Sequence, residues 1–195
     1  MYPEYAEIDG KEYKIDTNYD VALKCFEVID DEEIDNYERV IAIIYLLFDF
    51  IPEDNDLLIK LFDKAKLYLQ CGKTDEQQTK NKKDMDFIQD RGLINASFMY
   101  DYKIDLSKTK IHFWQFIELI EGLSENCSLN RVREIRNYDL SEEKDAKRRK
   151  KIEDAKKALA LKENTFHTKK DYTDDEIKSM ENFYKLMNGK EWLCE

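Results

Sequence analysis

The stretch IDNYERVIAIIYLLFDFIP, residues 34–52, decides the fold class. Its residues Ile34, Tyr37, Ile41, Ile44, Phe48 and Ile51 recur every three or four positions. That is the repeat of one helix face, not the alternation of a strand. Within it the run from Val40 to Phe48 is apolar throughout. Nine residues rise only about 14 Å as a helix, too short for the ~30 Å core of a bilayer. The run therefore reads as a buried core segment, and Pro52 marks the expected end of its helix.

Working outward, Val21, Leu23, Cys25, Phe26 and Ile29 predict a preceding helix. Leu58, Leu61, Phe62, Ala65 and Leu69 predict a following one, with Gly72 as its cap. Toward the N-terminus the period changes. Asp9 and Gly10 can supply the positive φ angles of a tight hairpin turn, and Ile8, Tyr13 and Ile15 would then lie against a core.

Residues 73–86 are almost wholly polar and read as a loop. Helical spacing returns at Phe87, Ile94, Phe98 and Tyr102. The aromatic stretch IHFWQFI (residues 111–117), continuing through Leu119, Ile120 and Leu123, predicts a central helix that is apolar on most sides. A short helix is expected around Leu129, Val132 and Ile135. Residues 141–163 are dominated by Lys, Arg, Glu, Asp and Ala and predict a long exposed helix steadied by charge pairs. Thr173 then opens a capping-box pattern, TDDE, ahead of Ile177, Met180, Tyr184 and Met187 on one face. The expected architecture is mainly α-helical: a small N-terminal β-hairpin with a helical core over 1–138, then a charged C-terminal helical extension over 139–195.

Composition agrees with this. Hydrophobic residues make up 42% of the 195, enough for a core, while only 5 Gly and 2 Pro argue against a turn-rich sandwich or barrel. A net charge of −11 is the wrong sign for a general nucleic-acid binder. Cys25, Cys71, Cys127 and Cys194 are widely spaced and form no C-x-x-C pair, which suits reduced thiols in a cytoplasm. The opening MYPE has neither the basic nor the apolar region of a signal peptide.

No residue pattern marks a catalytic, cofactor-binding or metal-ligating site, so an enzyme is not expected. There is no G-x-S-x-G, phosphate loop, dinucleotide fingerprint or metal-ligand spacing. His112 reads as a packing histidine and His167 as an exposed one. The acidic stretches 30–33 and 53–56 sit at helix starts, where carboxylates complement the dipole. The basic run Lys147–Lys151 would point around its helix in all directions, with Asp145, Glu153 and Asp154 beside it, and so reads as a solvated or partner-facing surface. Trp114, Phe113 and Phe116 read as core before pocket.

The segment from Asp90 to Arg136 adds a second line of reasoning. It carries Ile94, Ala96 and Phe98 as I-x-A-x-F, and Tyr102, Ile104, Asp105 and Leu106 as Y-x-I-D-L. His112, Trp114 and Phe116 form an H-W-W-x-F-like block with Phe113 in place of the more usual Trp, followed by Gly122 with Leu123 and Ile135 with Arg136. This succession resembles the bacteriophage gene-product-fifteen family of tailed phages and prophages of Gram-positive bacteria, over roughly residues 5–160. The resemblance implies a tail assembly protein, chaperone-like, that binds the tape measure protein, and possibly the tail tube protein and copies of itself. It would work in the host cytoplasm and be absent from the mature virion, without membrane or nucleic acid. The motif residues are expected mostly to bear the fold, with Asp105 bonding nearby amides and Arg136 pairing with an acid. The alternatives are a structural component of the tail and a nucleic-acid-binding phage regulator using residues 147–151.

Overall fold

The computed structural model describes residues 2–31, 33–73, 83–141 and 143–162. Over these residues the protein is mainly helical, with a two-stranded antiparallel hairpin and seven helices. They fall into two compact units, residues 2–73 and 83–162.

The first unit opens with β1 (Tyr5–Ile8) and β2 (Lys11–Lys14), paired so that Ile8 faces Lys11 and Tyr5 faces Lys14. Asp9 and Gly10 both take positive φ, 52° and 77°, which matches the twist of a two-residue hairpin. Ala6 and Ile8 share the buried face, as the period of two requires. Ile15 is buried just beyond β2, and Tyr13 stacks on Phe50 at 5.9 Å. A hairpin alone is marginal, so its docking matters. Lys60 supplies part of it, reaching the Asp9 carboxylate at 2.7 Å.

Three helices follow: α1 (Tyr19–Asp30), α2 (Asn36–Phe48) and α3 (Asn55–Leu69). α2 packs against both neighbours and carries the core residues Val40, Ile43, Ile44 and Leu47. Its start is a capping box. Asp35 accepts the Glu38 amide at 2.8 Å, and Glu38 accepts the Asp35 amide at 3.1 Å. Arg39 then donates to the carbonyls of Val28 and Asp31, so α2 satisfies acceptors at the end of α1, and to that of Ile34 in the linker. α2 stops at Phe48, four residues before Pro52. Asp49 is left-handed (φ 60°) and donates its N–H to the Tyr45 carbonyl at 2.9 Å, so this cap ends the helix and not the proline. α3 ends similarly, with Cys71 and Gly72 left-handed and the Gly72 N–H on the Leu67 carbonyl.

The second unit contains α4 (Arg91–Tyr102), α5 (Phe113–Glu121), α6 (Ser128–Asn137) and α7 (Ala146–Leu159). Phe87 lies in a turn before α4 instead of on its face, because the Asp86 carboxylate accepts the amides of Ile88 and Gln89 and closes that turn. The core gathers on Phe98, whose ring lies 5.4 Å from Phe116 and 5.6 Å from Tyr102. Ser97 is buried and accepts the Leu129 amide at 3.0 Å, fastening α4 to the start of α6.

The aromatic helix corrects one expectation. α5 spans nine residues and buries Phe113, Phe116 and Ile120, but Gln115, Glu118 and Glu121 are exposed. It is amphipathic, not enclosed on most sides. Ile111 and Leu123 are buried in the segments leading into and out of it.

α7, read from the sequence as part of an extension beginning at residue 139, lies in this second unit. It has no buried residue. Its half-buried face, with Ile152, Ala155 and Leu159, goes with its packing on α6. The helix expected after Thr173 lies outside the described residues.

Candidate functional site

The motif residues occupy several kinds of place. Ile94, Phe98, Leu106, Phe116 and Leu123 are buried, while Ile104, Trp114 and Ile135 are half-buried. His112 is half-buried at the start of α5 and not on its face, with its ring edge-on to that of Trp114. It caps α5, its Nδ1 accepting the Trp114 amide at 3.1 Å. Asp105 accepts the Ser107 amide and hydroxyl and pairs with Lys108 at 2.9 Å. The Ser107 hydroxyl and Lys108 hold its carboxyl down to about 2.

Tyr102 and Gly122 act as a pair. The Tyr102 hydroxyl donates to the Leu119 carbonyl at 2.8 Å, tying α4 to α5. A Cβ at position 122 would sit 3.0 Å from that hydroxyl, so glycine leaves it room.

Arg136 is the polar joint of the second unit. Its guanidinium grips Asp90 through both terminal nitrogens, at 2.6 and 2.8 Å, in the fork geometry that carboxylates favour. It also donates to the carbonyls of Asp84 and Leu159. One side chain thus joins the segment before α4 and the end of α7 to α6. The hydrogen bonds to Asp90 raise the Arg136 pKa against the opposing effect of burial.

Ala96 is exposed on the face of α4 opposite Ile94 and Phe98. Met99 and Tyr100 are exposed beside it, and no charged residue occurs from Gly92 to Tyr100. Of the motif residues, Ala96 is one whose place the core does not explain.

A concave feature belongs to the first unit. α1 and α3 both pack on α2. Between them lies a hollow of about 190 Å³. Phe26 and Ile29 line it from α1, Ile43 from α2, and Phe62, Lys66, Leu69 and Gln70 from α3 and its cap. The lining is apolar except for Lys66 and Gln70. Its size suits one large apolar side chain, with a cation and an amide beside it. Lys66 is an unusual charge here, since residues 1–73 hold 18 Asp and Glu against 8 Lys and Arg.

Among the described residues, no group of His, Cys, Asp and Glu could hold a metal ion, and no helix is long and apolar enough to cross a membrane. Cys25 is fully buried, and burial pushes its thiol up to about 12, which disfavours the nucleophilic thiolate. Cys127 caps α6 through its sulfur, 3.4 Å from the Asn130 amide. Lys147–Lys151 are all exposed on α7, and Arg148 pairs with Glu143 at 3.1 Å.

Sequence reading did not find the hollow. Phe26, Ile29, Phe62 and Leu69 looked like ordinary core positions, and only the packing of three helices shows the space they leave. It also did not find Asp90, since nothing local pairs that residue with Arg136.

No curated protein and no solved structure matches the chain. The family model described as Bacteriophage Gp15 protein matches residues 2–161, which takes in both units. The chain therefore belongs to the bacteriophage Gp15 family.

Proposed function

We propose that this phage-family protein is a tail assembly chaperone that binds helical stretches of the tape measure protein through the hollow between α1, α2 and α3. The observation that carries this reading is the hollow itself: an apolar site for one side chain, edged by Lys66 and Gln70. Helix-in-groove recognition uses such sites, with an amphipathic partner helix inserting apolar anchors. Burying one large side chain contributes about 1.5–3 kcal/mol. One anchor and its surroundings can give a micromolar complex, roughly −8 kcal/mol. Binding of that strength suits a chaperone that must let go when tube subunits assemble. The acidic first unit also favours partners with basic faces.

The test is co-expression with the tape measure protein, using the natural chain and Ile29→Asp, which places a charge at the hollow. The natural chain should keep the tape measure protein soluble and co-purify with it, and Ile29→Asp should not. If solubility is unchanged and no complex forms, the proposal fails. Gels of purified particles separate chaperone from structural component, since a chaperone is missing from the mature virion.

A further inference from the structure

We propose that the outward side of α2 is a second docking surface, one that takes a partner helix whose apolar stripe is flanked by lysine and arginine. It is separate from the hollow. Ile43, which lines the hollow, is two positions from both Ile41 and Tyr45, about 200° round the helix from each.

α2 turns Val40, Ile43, Ile44, Leu47 and Phe48 into the core. Tyr37, Ile41 and Tyr45 follow one another at four-residue spacing on a different line of the same helix. Tyr37 is 41% exposed and Tyr45 55%, with Ile41 half-buried between them. Ala42 and Leu46 are half-buried alongside. A lone exposed tyrosine needs no explanation, but a strip about 12 Å long does. Two tyrosines on either side of an isoleucine give large apolar area with hydroxyls that can stay wet, a composition enriched at interfaces. A helix laid across the strip can set its own i and i+4 side chains between these residues.

Charge decides what kind of helix fits. From Cys25 to Ile59 the chain holds 11 Asp and Glu, one Arg and no Lys. The Arg, Arg39, is turned onto the carbonyls of Val28, Asp31 and Ile34. Lys24 and Lys60, which bracket this stretch, pair with Asp20 and with Asp9 and Asp56 respectively. Glu38 is exposed next to Tyr37, and Asp49 is exposed at the cap beyond Tyr45, so a carboxylate stands at each end of the strip. Asp49 is also at the wrong end of its helix. A helix C-terminus carries partial negative charge and favours cations, yet no basic residue occupies the last turn of α2. A Lys or Arg from a partner supplies that cation. The same acids repel phosphate backbones and anionic lipid. A second copy meeting this face with its own would bring carboxylate against carboxylate.

The test titrates the full chain by NMR with three synthetic peptides of about 18 residues, long enough to form a helix. One carries a leucine stripe at helical spacing flanked by lysine. One has glutamate in place of the lysine. One has the same leucines and lysines in an order without a stripe. The first should bind roughly tenfold more tightly than either of the others, and the Ile41 methyl and Tyr45 ring signals should shift. Tyr37→Ser with Tyr45→Ser changes two exposed residues, and unchanged signals from the buried core show that the fold is kept. This variant should bind the first peptide roughly tenfold more weakly. Ile29→Asp, at the hollow, should bind it as the natural chain does. Equal binding of the three peptides, shifts centred on Ile29 and Ile43, or full binding by the tyrosine variant overturns the inference. So does self-association of the natural chain that the tyrosine variant abolishes, since a second copy would then be the occupant. Nothing in this test passes through the hollow, so a missing tape measure complex would leave the inference standing.

Discussion

Replacing Arg136 with methionine tests the polar joint of the second unit. The Arg136 side chain is 11% exposed and that of Asp90 3%, so the pair is largely shielded from water. Methionine keeps much of the arginine stem's packing but removes four hydrogen bonds: two to Asp90 and one each to the carbonyls of Asp84 and Leu159. It also leaves the Asp90 carboxylate in place without its cation. Breaking a buried pair from one side costs about 3–5 kcal/mol. Domains of ordinary stability have about 5–15 kcal/mol in total. Arg136→Met should therefore remove about a fifth of it or more. Urea unfolding followed by Trp114 fluorescence reads this directly, in a Trp192→Phe background so that one tryptophan reports. Pairing Arg136→Met with Asp90→Asn removes the stranded charge and should recover part of the loss. A cost below about 1 kcal/mol for Arg136→Met would mean an ordinary surface pair. A double variant no better than the single one would mean that the stranded carboxylate is not the cause.

Two smaller perturbations probe the same unit. Gly122→Ala pushes a Cβ to 3.0 Å from the Tyr102 hydroxyl, so it should cost about 1–3 kcal/mol, and adding Tyr102→Phe should relieve part of the strain; thermal melts of the two variants decide it. The Asp105 carboxyl has its pKa lowered in the folded protein to about 2, so its contribution is present above the unfolded value near 4 and is lost as pH falls through 2. Carbonyl-carbon NMR of Asp105 should place its titration near 2, and Ser107→Ala should move it upward.

Much of the helical plan was legible in the sequence because large apolar residues mark one face of each helix. The hairpin was legible from Asp9 and Gly10 alone, since few other pairs accept two positive φ angles. Helix ends were less so. Pro52 pointed to a stop that Asp49 had already imposed, and a left-handed aspartate leaves little trace in a sequence. α5 misled because aromatic density suggested enclosure, yet Gln115, Glu118 and Glu121 define a wet face at three-residue spacing. The candidate site was least legible. A hollow is a property of how three helices meet, and the partner of Arg136 lies 46 positions away.

The packing order of the first unit bears on how it forms. α1 meets α2 and α2 meets α3, each a neighbour in sequence, and the hairpin pairs with itself. The links of this unit that span farthest along the chain join the hairpin end to α3, namely Lys60 to Asp9 and the Tyr68 hydroxyl to the Thr17 carbonyl, each across 51 positions. Shorter-range ones tie it to the end of α2, namely Tyr13 on Phe50 and the Asp16 amide on the Leu47 carbonyl. Local contacts close small loops and so assemble quickly. The helices can therefore condense first, with the hairpin closing onto α3 last. A mutation at Asp9 or Lys60 should then speed unfolding while leaving the folding rate nearly unchanged, the signature of a late-forming contact.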